Sequence, residues 1–299
     1  MGARTAEGWH LMILDRITIT DGAYAITADR QPTGWPRMAF TSSSGVNDGW
    51  GVDSTKVQRA GGLGATVSGW QRPGRELTIA GAWQGADPAE ARRVIDTVRA
   101  IGASGRCVTL TRQTSLGLRS IDAVLDGEPD MTAHLDDRSA TVEWKLPFYA
   151  SDPVWHAPPV EAQARTAGQD AGLVWPLFAP DGLLDWGADA AQEASIANPG
   201  TIDAWPTVTV QGLLPSGFTI TDAATGRRVV YRGAVTPMAP VTIDFAAGTA
   251  TTPGGGSTEL ITARDWWTVP AAGTARPTLM SVQPGGSGVA TITIRPAWA

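Results

Sequence analysis

Apolar and polar residues alternate along several segments in the first half of the chain. These segments are residues 11–20, 76–83, 107–112, 118–125 and 139–148. Successive side chains of a strand point to opposite faces, so this period of two predicts strands with one buried face. Turn residues separate the segments, and this arrangement favours antiparallel pairing.

One segment of this half has a helical pattern instead. Asp87 is suited to the N-cap and Pro88 to the first turn, and Gly102 follows the last apolar position. An apolar stripe at helical spacing lies between them, formed by Val94, Ile95, Val98 and Ile101. We therefore predict one helix over about residues 87–102, packed across a sheet.

Two segments between the predicted strands, residues 41–51 and 59–69, are rich in Gly, Ser and Asn. They are predicted to be loops or a projecting hairpin. Trp35, Trp50 and Trp70 lie in or beside them and are our candidate subunit-interface residues, because large aromatic side chains on a projection are often buried by a partner. The alternative that these side chains fold back onto their own sheet stays equally open.

A change of pattern between Phe148 and Pro159 indicates a domain boundary. Asp152-Pro153 favours extended or turn backbone, and Pro158-Pro159 stiffens the chain that follows. We predict a first domain over 1–155, a connector over 156–197 and a second domain over 198–299. Strand patterns in the second domain occur at 206–212, 217–222, 227–233, 240–245, 257–269, 276–283 and 288–299.

The predicted fold class is all-β with one helix. Short strands at close spacing in the second domain favour a sandwich or jelly roll. The first domain is expected to be a β-sandwich or barrel. The 35 Gly and 21 Pro among 299 residues agree with a chain of many strands and turns.

Charge and cysteine content exclude several function classes. The 23 basic and 29 acidic residues give a net charge of −6, so we expect no nucleic-acid binding site. Cys107 is the one cysteine, which excludes an internal disulfide and fits folding in a reducing cytoplasm. We expect it to be a small buried strand residue. Neither a secretory signal nor a long apolar run occurs, so we expect no membrane association and no secretion by that route.

The residues that usually carry catalysis are sparse. His10, His134 and His156 lie in unrelated contexts, without the spacing of a zinc site. Acidic residues at 126–130 and 136–137 are expected in solvated turns, and no nucleotide-binding or nucleophile-elbow motif occurs. We predict no catalytic residue, no cofactor and no metal. A glycosidase with paired carboxylates from distant strands stays open as an alternative.

Trp266 and Trp267 are candidate glycan-contact residues. An exposed aromatic ring suits the apolar face of a sugar, but adjacent strand residues point to opposite faces. We therefore expect at most one of the pair to be available to a ligand, with the other in the core or at a domain interface. On this reading the second domain would be a carbohydrate-binding module for host-surface glycans.

The sequence resembles the distal tail proteins of bacteriophages with long non-contractile tails, especially minor tail proteins of actinobacterial phages. Three segments carry the resemblance: ATVEWKLPFYASDPVWH at 140–156, NPGTIDAWPTVTVQG at 198–212 and ITIRPAWA at 292–299. They are similar to the family's closing strand with an Asp-Pro turn, the turn that opens its C-terminal domain, and its terminal strand.

The resemblance implies a structural protein of the virion at the phage tail tip or baseplate, assembled in the host cytoplasm. It implies an N-terminal domain that forms a ring, usually a hexamer, and a C-terminal galectin-like sandwich. The expected partners are other copies of the chain, the tail tube protein, the tail-tip or baseplate hub protein and the tape measure protein. It implies no enzymatic activity; a cell-wall hydrolase is the least favoured alternative.

Overall fold

The computed structural model describes residues 16–46, 51, 53–59, 63–71, 73–136, 139–166, 192–283 and 286–298. The chain forms two compact units, the first over Met1–Ala157 together with Ala299, and the second over Pro158–Trp298.

The first unit consists of strands and one described helix. In chain order these elements are β1 (Arg16–Thr20), β2 (Ala25–Asp29), β3 (Arg37–Ser44), β4 (Asp53–Gln58), β5 (Ala65–Gln71), β6 (Arg75–Gly85), α1 (Pro88–Ala100), β7 (Val108–Thr114), β8 (Gly117–Leu125), β9 (Asp130–Leu135), β10 (Ala140–Ala150) and β11 (Trp155–His156).

A closed sheet forms the body of this unit. Its strands pair in the order β11-β8-β7-β1-β2-β3-β6-β10-β9, and β8 also pairs with β10 through Phe148–Leu125 and Tyr149–Val124. This second pairing of β8 closes the strands from β8 to β10 into a barrel and leaves β9 and β11 outside the closed ring. The pairings are antiparallel except at β2–β3, where Asp29 lies opposite Ala39 in a parallel bridge.

Alternating apolar side chains fill the barrel. Ile17 and Ile19 of β1 and Leu77 and Ile79 of β6 are all buried, with 2% or less of their surface exposed. Burying such a side chain stabilises the fold by about 1.5–3 kcal/mol. The alternation that predicted these strands therefore reflects one face turned into a common core.

The predicted helix is confirmed. The side chain of Asp87 accepts a hydrogen bond from the backbone N–H of Ala89 at 2.8 Å, which is an N-cap. Ala91 and Val98 are buried against the strands. Gly102 follows the helix with a φ of +68°, a left-handed conformation that glycine adopts without a steric penalty.

Several expectations for the first domain are wrong. Cys107 is exposed rather than buried, because β7 begins at the next residue and Val108 takes the inward position. Asp130 does not lie in a turn but begins β9, whose residues are nearly all exposed and so carry no clear apolar alternation. The strands β2 and β3 also had no predicted counterpart.

The second unit consists of short strands and one described 3-10 turn. In chain order these are β12 (Val160–Arg165), β13 (Ile196–Asn198), β14 (Thr207–Leu213), β15 (Phe218–Asp222), β16 (Arg228–Tyr231), β17 (Val241–Asp244), β18 (Thr249–Thr252), β19 (Gly255–Gly256), the 3-10 turn (Thr258–Leu260), β20 (Ile261–Arg264), β21 (Gly273–Ala275), β22 (Pro277–Ser281), β23 (Ser287–Ile294) and β24 (Ala297–Trp298).

Two sheets of this unit share one hydrophobic core. A six-stranded sheet has the order β12-β23-β14-β17-β18-β19 and a four-stranded sheet the order β20-β16-β15-β22, with β13 and β21 forming a smaller pair. Val208 and Ile292 of the first sheet and Ile220 and Leu279 of the second are completely buried. The all-β class is confirmed, and a galectin-like topology stays a prediction.

Part of the stretch predicted as a connector is a strand of the second unit. Strand β12 pairs with β23 from Val160–Ile294 to Arg165–Val289. Its sequence, VEAQAR, has small rather than large apolar residues, and only Ala164 is buried. Residues 167–191 of the predicted connector lie outside the described residues.

Candidate subunit interface

Strands β4 and β5 form a hairpin between β3 and β6. They pair from Asp53–Gln71 to Gln58–Ala65 and make a separate two-stranded sheet within the part of the chain that the structure describes. Trp70 lies opposite Ser54 and Ser68 opposite Thr55, so the ladder skips Gly69. Gly69 has a φ of +60°, which identifies a bulge that requires left-handed backbone.

Apolar side chains of this hairpin face solvent. Val57 is 55% exposed, Val67 62% and Leu63 fully exposed. A separate two-stranded hairpin is at best marginally stable in water, and unpaired strand edges tend to pair with another chain. The hairpin is therefore suited to covering by a partner. The sequence signal for it was the Gly, Ser and Asn content of residues 41–51 and 59–69.

The structure places the predicted interface tryptophans differently. Trp35 is 57% exposed, and the guanidinium carbon of Arg37 lies 5.7 Å from the centroid of its ring, a cation–π contact. Trp70 lies in β5 of the hairpin. Trp50 lies outside the described residues. Of the two predicted forms, loops or a projecting hairpin, the structure has a hairpin, and Trp35 is the interface candidate whose exposure is established.

The predicted glycan-contact residues contribute to the core of the second unit. Trp267 is 1% exposed, so its ring is not available to stack on a sugar. Trp266 is partly buried against the same core. Phe245 contacts both rings edge-on, with centroid distances of 5.2 Å to Trp266 and 5.0 Å to Trp267. The prediction of at most one available ring agrees with this packing.

Two aspartates, Asp21 and Asp222, have a lowered pKa because their carboxylates accept several hydrogen bonds. The backbone N–H groups of Tyr24, Gly102 and Ala23 donate to Asp21, and these hydrogen bonds lower the pKa of its buried carboxyl. Burial raises the pKa of Asp222, but hydrogen bonds from Thr225 and from backbone N–H groups outweigh it, and the net shift is downward. Both carboxylates accept hydrogen bonds within turns, so they fix the backbone.

His134 and His156 lie on different strands of the first unit. His134 lies on the exposed face of β9, and His156 Nε2 is 2.8 Å from Asp152 Oδ2. His10 lies outside the described residues. In the described ranges, His, Cys, Asp and Glu do not form a group of three that could hold a metal ion. No helix found in those ranges is long and apolar enough to cross a membrane.

Known structures with a similar fold cover nearly the whole chain, although no protein-family model and no curated protein matches it. The crystal structure of the Dit protein (gp 19.1) of phage SPP1, a paradigm of the hub adsorption apparatus in phages infecting Gram-positive bacteria, is 14% identical. It covers 95% of this chain and 99% of its own, with a TM-score of 0.60.

A chain of the phage P2 baseplate in its activated conformation with Ca is 13% identical. It covers 94% of this chain and 98% of its own, with a TM-score of 0.50. The resemblance noted in the sequence is thus confirmed at the level of the fold. The chain has the two-unit β fold of the distal tail protein of phage SPP1 over nearly its full length.

Proposed function

We propose that this chain is a structural phage tail-tip protein that forms a ring, a hexamer, joining the tail tube to the tip or baseplate hub. The observation that carries the proposal is the agreement in fold with the SPP1 hub protein over 95% of this chain and 99% of that one. A match over both units supports a common architecture rather than one shared domain. Function is carried by sites and surfaces rather than by the fold, so the exposed surfaces of the first unit bear on its role.

The β4–β5 hairpin supports a role in assembly. Its exposed valines and leucine and its strand edges are features that a neighbouring subunit would cover. Trp70 lies in β5 of the hairpin, and Trp50 and Trp35 precede β4 and β3 in the sequence. Aromatic side chains are enriched at the centre of interfaces. A closed ring would cover these surfaces in every copy, because each subunit presents the same two patches to its neighbours.

In this account the partners are other copies of the chain, the tail tube protein, the hub protein and the tape measure protein. The protein belongs to the virion and assembles in the host cytoplasm. Its role is mechanical, without catalysis or a cofactor. The second unit is a sandwich with Trp267 in its core, so the glycan-binding alternative has lost one of its two proposed contacts.

Negative-stain images of the purified full-length protein test this function. Class averages with closed rings of uniform symmetry would support the proposal. Monomers or irregular aggregates throughout, at concentrations up to the solubility of the protein, would contradict it.

A further inference from the structure

A groove of about 330 Å³ lies on the outer face of the first unit. Its floor includes Ala80 and Ala82 of β6, whose small side chains leave the space open. Its walls include Glu143 and Lys145 of β10 and Asp130 of β9. The cross-strand register explains this grouping, because Ala80, Lys145 and Asp130 lie opposite one another on adjacent strands.

The groove borders a free sheet edge. Strand β9 is the last strand in the order of its sheet, and among the described residues it pairs only with β10. An edge strand presents backbone donors and acceptors that another strand can pair with. An extended segment lying along β9 would therefore gain backbone hydrogen bonds and would place side chains in the groove.

The chain segment that leads into and forms β9 is acidic. Residues 126–136 contain no Lys or Arg; their acidic residues are Asp126, Glu128, Asp130 and Asp136. The carboxylates of Asp130 and Glu143 have no ion-pair partner within 4.0 Å in the part of the chain that the structure describes. The groove lining therefore carries these two carboxylates against one cation, Lys145, and a basic side chain entering it would meet a net negative charge.

The β4–β5 hairpin has the complementary charge. Residues 53–71 contain Asp53 as the one acidic residue, and Lys56 and Arg59 as basic residues. Lys56 lies opposite Val67 in the ladder, and both side chains are exposed. One hairpin thus offers a cation, apolar side chains and two strand edges together.

The hairpin does not occupy the groove of its own subunit. It leaves the sheet after Ser44, which lies opposite Thr78, and returns at Arg75. Strand β9 begins at the level of Ala80 and extends to the level of Gly85, away from that end. The side chains of Lys56, Val57 and Val67 are exposed, as expected for a hairpin that does not fill the groove of its own subunit.

We propose that the groove and the β9 edge receive the β4–β5 hairpin of a second copy of this chain, with Lys56 against Asp130 and Glu143. This inference rests on the proposed ring function and identifies the receiving surface on the neighbour. Each subunit then donates one hairpin and accepts one, which is a head-to-tail contact that closes into a ring.

Charge reversal at the two ends of the contact tests it. We expect Lys56→Glu and Asp130→Lys, each alone, to raise the protein concentration needed for half-maximal assembly about tenfold or more, because like charges then face each other. An equimolar mixture of the two variants should assemble again, because opposite charges then meet at every contact of an alternating ring. The hairpin with the reversed charge meets the groove with the reversed charge, and the unchanged hairpin meets the unchanged groove. Recovery in the mixture also shows that both variants are folded and that the contact joins different copies.

Matched controls use exposed charges of the second unit. Arg228→Glu and Glu259→Lys change the net charge by the same amounts and should leave assembly unchanged. If wild-type rings form and the two test variants assemble as well as the controls, the groove assignment is wrong and the ring function stands. Failure of the mixture to assemble would also overturn the assignment. A wild-type chain that never assembles would contradict the ring function itself.

Discussion

The carboxylate of Asp222 accepts a hydrogen bond from the backbone N–H of Arg276 at 3.0 Å, across 54 residues of sequence. The same side chain accepts from the Thr225 hydroxyl at 2.7 Å. It thereby joins the turn after β15 to the residue before β22 within the core of the second unit. This buried carboxylate therefore fixes the backbone at both places.

We predict that stability of the second unit falls in acid through Asp222. Burial raises the pKa of this carboxyl, but hydrogen bonds from Thr225, Arg276 and Ala224 outweigh it, and the folded pKa lies below its usual value. The stabilisation is therefore complete above the unfolded pKa of about 3.9 and is lost as the pH falls through the folded pKa.

The variant Asp222→Asn cannot accept the Thr225 hydrogen bond through its amide nitrogen. We expect it to lower the free energy of unfolding by about 1–3 kcal/mol near pH 7. The further fall of this free energy below pH 4 should be smaller than in the wild type. Urea unfolding at several pH values measures the free energy of unfolding and its dependence on pH. Asp244→Asn is the control, because the bonds that Asp244 accepts among the described residues are local ones, from Ala246 and Ala247. Equal losses in both variants would contradict the role assigned to Asp222.

We predict that Gly81→Ala destabilises the first unit. A Cβ at Gly81 would overlap the ring of Trp144 and approach the carbonyl oxygen of Ala39. Overpacking of this kind costs about 1–3 kcal/mol, because the ring must leave its position in the core. Thermal unfolding of the full chain measures the loss. Gly51→Ala is the control, since no atom of the described residues lies within 4 Å of its added Cβ, and it should unfold like the wild type.

Replacing the exposed valines of the hairpin should weaken assembly without unfolding the subunit. The double variant Val57→Ser and Val67→Ser changes two solvent-facing side chains, so we expect the unfolding free energy to stay within about 0.5 kcal/mol of the wild type. In the ring the neighbouring subunit covers the face of the hairpin that carries Lys56 and Val67, so loss of apolar contact there should favour dissociated subunits. Sedimentation at several concentrations measures this. The control is Met280→Ser, at a residue that is 59% exposed in the second unit, and it should leave assembly unchanged. An equal effect of this control would contradict a specific role of the hairpin in assembly.

The two adjacent tryptophans should differ in their contribution to stability. We expect Trp267→Ala to cost about 3–5 kcal/mol, because it empties a fully buried position beside Phe245. Trp266→Ala should cost clearly less, since that ring is only partly buried. Denaturant unfolding of both variants compares them. Equal costs would contradict the packing described for this pair.

The sequence predicted the elements whose apolar faces enter a core. Strands such as β6 and β10 alternate strictly, and Asp87 and Gly102 delimit α1, so local pattern and tertiary packing agree there. Strands β9 and β4 are nearly all exposed, so burial imposes no alternation on them. Barrel closure at Tyr149–Val124 and the groove at Asp130 depend on pairings between distant segments, which residue patterns do not specify.

The molar mass of the full-length protein, measured by light scattering during size exclusion, tests the central claim most directly. The measurement compares the wild type with a variant in which a short Gly-Ser linker replaces residues 53–71. The account predicts a wild-type mass near six times the 31.3 kDa of one chain and a folded, smaller species for the variant. A wild-type monomer at every concentration, or unchanged rings without the hairpin, would contradict it.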